Sequence, residues 1–255
     1  MYDPRNYPFA IFLLSLGGLW LCAKSGALLQ RAQQNIAEDD RKDLNTVEAA
    51  TLTLLGLIIA FTFSMAVSRY DQRKNLEAEE ANAIGTEYLR VGLLPTEQTE
   101  HLRSLLSRYL QQRVLRYESR EFRQNRLNDI EAETALLEKE MWSLTKATTK
   151  DLPGPIAILV IGGMNDVLNS HGYTQAAWAN RIPSAAWVLM TLIAGLCSFL
   201  TGYVAHRARI LTLLILPLAV STALFLIADI DSPHGGLIRV RPDNLIYLAE
   251  SFSAQ

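Results

Sequence analysis

The chain has 255 residues, 49% of them hydrophobic and 20% charged, with mean hydropathy +0.11 and a formal net charge of −2. Its 26 acidic and 24 basic residues leave no basic excess for nucleic acid. Cys22 and Cys197 both lie in apolar stretches, where they read as small packing residues rather than a disulfide or a metal site, and they set no redox compartment.

The average hides a strong segregation. Residues 9–29, 50–68, 184–204 and 210–228 are almost free of charge, whereas 69–151 is dense in Glu and Arg. A helix crossing the hydrocarbon needs roughly 20 apolar residues, and each of the four stretches comes close. A soluble chain would spread its apolar residues periodically instead of gathering them into four blocks. The pattern predicts an all-α membrane protein: four transmembrane helices with a long helical cytoplasmic insertion between the second and third.

Segment one, Phe9 to about Leu29, follows a single basic residue, Arg5, and has no clean Ala-x-Ala site behind it, so it reads as an uncleaved span rather than a signal peptide. Lys24 interrupts it and can snorkel to the interface. Gly18, Cys22 and Gly26 recur every fourth residue, a spacing that lets two helices approach closely in lipid; incidental small residues are the alternative. Residues 30–49 read as a polar connection. Segment two, Ala50 to Ser68, stops at Arg69-Tyr70-Asp71, which suits a membrane–water boundary.

Residues 71–151 read as helices with apolar positions three and four apart. Leu102, Leu105, Leu106, Tyr109 and Leu110 form one face; Leu136, Leu137, Met141 and Leu144 form another. Pro95 separates two helices, with Thr96 as a cap for the second. Seven Arg fall between Arg103 and Arg126, and five acids between Asp129 and Glu140. Such opposite charge suggests that the successive helices pair, unless both faces are simply solvated. After Leu152-Pro153-Gly154-Pro155, the apolar run 156–168 is too short to span and reads as a buried or interfacial helix. Segments three and four are joined by Ala205-His206-Arg207-Ala208-Arg209 into a tight hairpin. Gly195, Ser198 and Gly202 give segment three a small-residue face, and Pro217 is placed to bend segment four.

The domain reading is therefore 1–68, a first transmembrane pair; 69–183, a cytoplasmic helical domain; 184–228, a second pair; and 229–255, a cytoplasmic tail. The basic residues near the membrane do not fix the orientation. Arg5, Arg69, Arg73, Lys74, Arg181, Arg239 and Arg241 lie on one side, against Lys24, Arg31, Arg41, Lys42, Arg207 and Arg209 on the other. A charged domain without targeting signals is easier to leave in the cytoplasm, which places the termini and the large domain there and the protein in the inner membrane.

No glycine loop for phosphate, HExxH or nucleophile elbow is present. His101, His171, His206 and His234 are scattered, without metal-ligand spacing. The sequence therefore implies no catalytic residue, metal or cofactor. Segment two is more informative. At 100° per residue, Thr53, Leu57, Phe61, Ser64 and Ser68 fall within an arc of about 80°. Leu55, Ile58, Ile59, Phe63 and Met65 occupy the opposite side. Small hydroxyls with one bulky aromatic suit a pore lining, in which hydroxyls meet partly hydrated ions and an apolar ring gates by dewetting. Hydroxyls also serve as glue between membrane helices.

Ala60-Phe61, Ala66, Arg69-Tyr70 and Arg73-Lys74 resemble the second helix of bestrophins, which in bacterial members carries Gly-Phe, a downstream Ala and Arg-Trp-Trp before basic residues. Asp231-Ser232-Pro233-His234-Gly235 and Pro242-Asp243-Asn244-Leu245 resemble the bestrophin acidic, Pro-Phe-Gly and Pro-Asn-Asp-Leu runs. A closer similarity, over about residues 45–245, is to a bacterial family of bestrophin-like membrane proteins. It rests on Phe61-Thr62-Phe63-Ser64-Met65, Glu80-Ala81-Asn82-Ala83-Ile84-Gly85-Thr86, Arg181-Ile182-Pro183 and Asp229-Ile230-Asp231. The chain departs from bestrophins at Tyr70-Asp71, where they have Trp-Trp, and at Phe63-Ser64, where they have Asn-Asn.

The resemblance implies a homo-oligomeric, pentameric ion channel in a lipid bilayer. It would be mostly anion-selective, passing inorganic ions through a neck at Phe61 with Leu57 and Thr53 one and two turns away. Arg113, Arg116, Arg120 and Arg123 share one helical stripe and would line an anion-attracting vestibule. Asp229, Asp231 and Asp243 are either a remnant of the calcium clasp of animal bestrophins or, more simply, caps for the loop after segment four. Two other classes stay open: a non-conducting membrane scaffold or sensor that recruits a cytoplasmic partner, and a membrane-embedded enzyme, for which no catalytic group presents itself.

Overall fold

The computed structural model describes residues 7–32, 38–119, 124–205, 210–233 and 235–253, with the side chains of 38–40, 124–125 and 210–212 left out. Among the described residues the regular structure is entirely helical, without strands. In chain order the helices are α1 (Pro8–Ala32), α2 (Glu38–Arg90), α3 (Thr96–Glu118), α4 (Gln124–Thr149), α5 (Gly154–Ala179), α6 (Ser184–Val204), α7 (Ile210–Asp231) and α8 (Asp243–Ser253); a 3₁₀ turn, Val91–Leu93, follows α2. Four ranges are long and apolar enough to cross a membrane: Pro8–Ala32, Arg41–Leu93, Gly154–Val204 and Leu213–Asp231. They contain the first three expected segments and, from residue 213 onward, the fourth.

Proline sets three of the helix starts. Pro95, Pro153 and Pro183 stand immediately before α3, α5 and α6 with φ of −56°, −53° and −55°. A ring-fixed φ admits a helix in front of proline's successor and discourages one behind it. Thr96 is the first residue of α3 and makes no capping bond. The turn is closed instead by Thr99, whose hydroxyl donates to Val91 O at 2.8 Å, with Leu94 O 3.0 Å away as the alternative acceptor.

Two expected boundaries move. Helix α2 has 53 residues; it takes in 38–49 of the polar connection and continues through the Arg69-Tyr70-Asp71 boundary. At 1.5 Å per residue it is about 80 Å long, well beyond a hydrocarbon core of about 30 Å. Its apolar part, 50–68, is thus a segment of a longer helix. Helix α5 continues past Leu168 to Ala179, because the polar run from Asn165 ends the apolar stretch without ending the helix.

The chain divides into two compact units. The first comprises Met1–Arg69 and Arg181–Ile238. Here α1 runs parallel to α6: Cys22 lies beside Gly195 and Gly26 beside Phe199 and Tyr203. It runs antiparallel to α7, with Phe9 and Phe12 near the α1 start meeting Phe225 near the α7 end at ring-centroid distances of 5.1 and 6.2 Å. Odd-numbered spans that are parallel to each other and antiparallel to the fourth suit successive crossings. The backbones of α1 and α6 nearly touch. A Cβ on Gly26 would collide with Phe199 O, and one on Gly202 with Ala23 O. The small-residue faces read from sequence thus do meet, with one correction: Gly18 has nothing within 4 Å of where its Cβ would lie.

The second unit comprises Tyr70–Asn180 and Arg239–Gln255. Its core gathers Ile84 and Val91 from the α2 end of the chain, Leu102, Leu106 and Tyr109 from α3, Met141 from α4, Met164 from α5 and Leu245 from α8. The expected α3 face is buried throughout. On α4, Leu137 and Met141 are buried, but Leu136 is 63% exposed, one position off the stripe. The opposite charges of α3 and α4 do pair: Arg108 with Glu133 at 2.8 Å and Arg116 with Glu131 at 2.6 Å.

Candidate functional site

Among the described residues, the face singled out on segment two is left uncovered. Thr53, Leu57, Phe61, Ser64 and Ser68 are all exposed, Leu57 by 51% and Phe61 by 66%. Leu55, Thr62 and Ala66, on other sides of the same turns, are buried. An exposed face of Leu, Phe and hydroxyls on an apolar helix can meet lipid, a second copy of the chain, or water along an axis. The Thr53 hydroxyl donates to Ala49 O at 2.8 Å, so in this rotamer it turns its lone pairs, not its proton, outward. On the opposite side Leu55 is buried, Ile58 and Ile59 are half-buried, and Phe63 and Met65 are exposed.

The spacing of the buried positions continues along α2 into charged residues. After Ala66 come Arg73, Glu77, Glu80, Ile84, Glu87 and Val91, all at most 2% exposed. In the second unit the three carboxylates of that stripe have different surroundings. Glu77 accepts from the first turn of α8: Leu245 N–H reaches Oε1 at 3.0 Å and the Asn244 amide reaches Oε2 at 2.6 Å. A carboxylate is thereby placed where the N–H groups and the dipole of α8 favour it. Burial raises the Glu77 pKa, and these donors work the other way.

Glu80 is held by Arg113, with neither side chain exposed. Tyr117 Oη and Thr174 Oγ1 approach Glu80 Oε2 at 3.4 and 3.3 Å. Arg113 also lies over the Trp178 ring, 5.6 Å from its centroid. Burial opposes the Arg113 charge, but adjacent Glu80 outweighs it and holds the guanidinium charged beyond its usual range. Burial likewise keeps the phenols of Tyr109 and Tyr117 neutral well above the usual tyrosine range. Glu87 differs from both its neighbours: its two oxygens are buried and neither has a hydrogen-bond donor.

The expected basic vestibule changes accordingly. Arg113 is wholly enclosed and ion-paired, so within this unit it offers no charge to a passing anion. Arg116 is 13% exposed in its side chain, paired with Glu131 and stacked over Trp178 at 4.4 Å. Arg120 and Arg123 lie outside the described residues. Asp229 caps the loop after α7, accepting from Leu237 N–H at 2.7 Å and Ile238 N–H at 2.8 Å. Asp231 accepts from Ile182 N–H at 3.1 Å and lies 3.7 Å from Arg69. Among the described residues no group of three or more His, Cys, Asp or Glu is arranged to hold a metal ion.

Sequence reasoning passed over Glu77, Glu80 and Glu87 because an acidic helix face normally belongs to solvent. The available signal was register. Extending Leu55, Thr62 and Ala66 by threes and fours lands on Arg73, Glu77, Glu80, Ile84, Glu87 and Val91.

Comparison with known proteins places this geometry. The chain resembles crystal structures of a bacterial bestrophin homologue from Klebsiella pneumoniae. A tryptophan-to-alanine variant matches with TM-score 0.69 and 14% identity over 96% of this chain and 95% of that one. A tyrosine-to-alanine variant matches with TM-score 0.69 and 14% identity over 96% and 99%. The structure phased with zinc matches with TM-score 0.63 and 15% identity over 96% and 95%. No match is found among curated proteins. A family model for the bestrophin-like domain matches residues 16–245. The chain belongs to the bestrophin-like family.

Proposed function

We propose that the chain forms an oligomeric ion channel, a pentamer permeable to anions, in which α2 surrounds the axis with Thr53, Leu57, Phe61, Ser64 and Ser68 lining the pore. The supporting observation is the face itself: five positions of one arc, all exposed, on the apolar part of a helix whose Leu55, Thr62 and Ala66 are buried. Phe61 and Leu57 form the neck, where an apolar ring gates by dewetting. Residues 69–183 and the tail lie in the cytoplasm, and the spans cross the inner membrane. Of the basic stripe, Arg116, Arg120 and Arg123 stay candidates for attracting anions; neutralising them together should reduce anion selectivity.

The test is flux in liposomes. Phe61→Ala opens the neck and should raise anion flux several-fold over wild type at equal protein density. Equal flux for the two proteins, or cross-linking that packs the Thr53–Phe61–Ser68 face against another helix with no water path, would leave the scaffold reading in place of the channel.

A further inference from the structure

Glu87 is 0% exposed, and neither carboxylate oxygen has a donor. Its neighbour across the helix contact is Gly163 of α5, where a Cβ would collide with Glu87 Oε2. Helix α5 thus comes as close to the carboxyl as a backbone can. Arg90, one turn along α2, reaches the same point beside Gly163 without hydrogen-bonding the carboxylate, and forms its ion pair with Asp166 of α5 at 3.8 Å. Other charged groups around α2 and α5 are engaged elsewhere: Arg103 of α3 with Tyr88, and Glu138 of α4 with His171. A charged carboxylate without donors is unfavourable in such a place, whereas a neutral acid is tolerated.

We propose that Glu87 is a proton-binding site that holds α5 against α2: with the proton bound the two helices close at Gly163, and its release puts an unsolvated charge there and loosens the contact. The site lies in the second unit, beyond the apolar stretch 50–68, and the proposal is independent of conduction. Burial, assisted by Asp166 and opposed by Arg90, raises the Glu87 pKa to about 8, so the switch works near physiological pH.

The experiment uses the full chain in detergent and follows backbone hydrogen exchange in 160–167 by mass spectrometry, from about pH 6 to about pH 9. Glu87→Gln copies the neutral acid and corrects for intrinsic exchange at each pH. The expected ratio of wild-type to variant rates is near one in acid and rises about tenfold above the transition, with its midpoint close to 8. Asp166→Asn should move the midpoint down, and Arg90→Gln should move it up. A purely structural Glu87 gives a ratio that does not change with pH, which overturns the proposal, as does a midpoint that neither variant moves. Should Glu87→Gln not fold, the infrared carbonyl band of a protonated carboxyl in wild type serves instead. It should vanish with the same midpoint, and at lower pH in Asp166→Asn; its persistence or absence throughout overturns the proposal equally.

Discussion

Replacing Arg113 by Met tests whether the second unit is built around a buried ion pair. The side chains of Arg113 and Glu80 are both 0% exposed, and the guanidinium also lies 5.6 Å from the Trp178 ring centroid. Met keeps most of the apolar stem but removes the charge, leaving Glu80 with only the two long contacts from Tyr117 and Thr174. Breaking one side of a buried pair costs about 3–5 kcal/mol. Loss of the cation–π contact adds about 0.5 kcal/mol or more. For a unit of this size the sum corresponds to a fall in Tm of roughly 15 °C. Thermal unfolding of the full chain in detergent, followed by tryptophan fluorescence, measures it, since Trp178 sits on the pair. The double variant Glu80→Met with Arg113→Met should recover most of the loss, because an apolar pair leaves no charge behind. A single-variant shift below about 4 °C, or a double variant no better than the single, refutes the reasoning.

Other outcomes follow from the same geometry. Gly202→Ala, whose methyl meets the Ala23 carbonyl, should cost about 1–3 kcal/mol, while Gly18→Ala should be neutral; equal melting of the two would remove the α1–α6 close approach from the account. Glu77→Ala should cost about 1–2 kcal/mol and speed amide exchange throughout α8, by loss of the bonds to Asn244 and Leu245; unchanged exchange there would deny Glu77 its capping role. Stability should also depend on pH through Glu87. Its pKa is raised in the folded chain, so its contribution is fully present below about 4.5 and is lost as pH rises through about 8. Between those limits the slope is at most about 1.4 kcal/mol per pH unit, and denaturant midpoints at several pH values should flatten in Glu87→Gln.

Much of the architecture is legible in the residues, for identifiable reasons. Four blocks almost free of charge give four apolar helices, because every backbone polar group in hydrocarbon must be satisfied internally. Leu102, Leu106 and Tyr109 reveal the α3 face because a half-buried helix keeps period 3.6. The α3–α4 ion pairs follow from the charge reversal between Arg103–Arg126 and Asp129–Glu140. What escapes is continuity. Arg69-Tyr70-Asp71 marks a change of surroundings, not of backbone, and neither Gly nor Pro stands between Leu57 and Ile84 to break the helix. The buried carboxylates escape for a related reason. Composition cannot separate Glu77, enclosed, from Glu79, exposed two residues later. Their partners Arg113 and Leu245 are 33 and 168 positions away, distances over which a helical pattern carries no information.

That last separation has a consequence for biosynthesis. The carboxylate of Glu77 is completed by Leu245, which is translated 168 residues later. At about 5–20 residues per second, roughly 10–30 s separate the two. Throughout that interval the nascent chain can assemble α3, α4 and α5 but cannot seat Leu245 in the core or close the Glu77 site. The second unit is therefore finished only after α6 and α7 have been synthesised. A stalled or prematurely terminated chain would carry an open acidic notch and an unfilled leucine socket, a surface that quality control could distinguish from the finished protein.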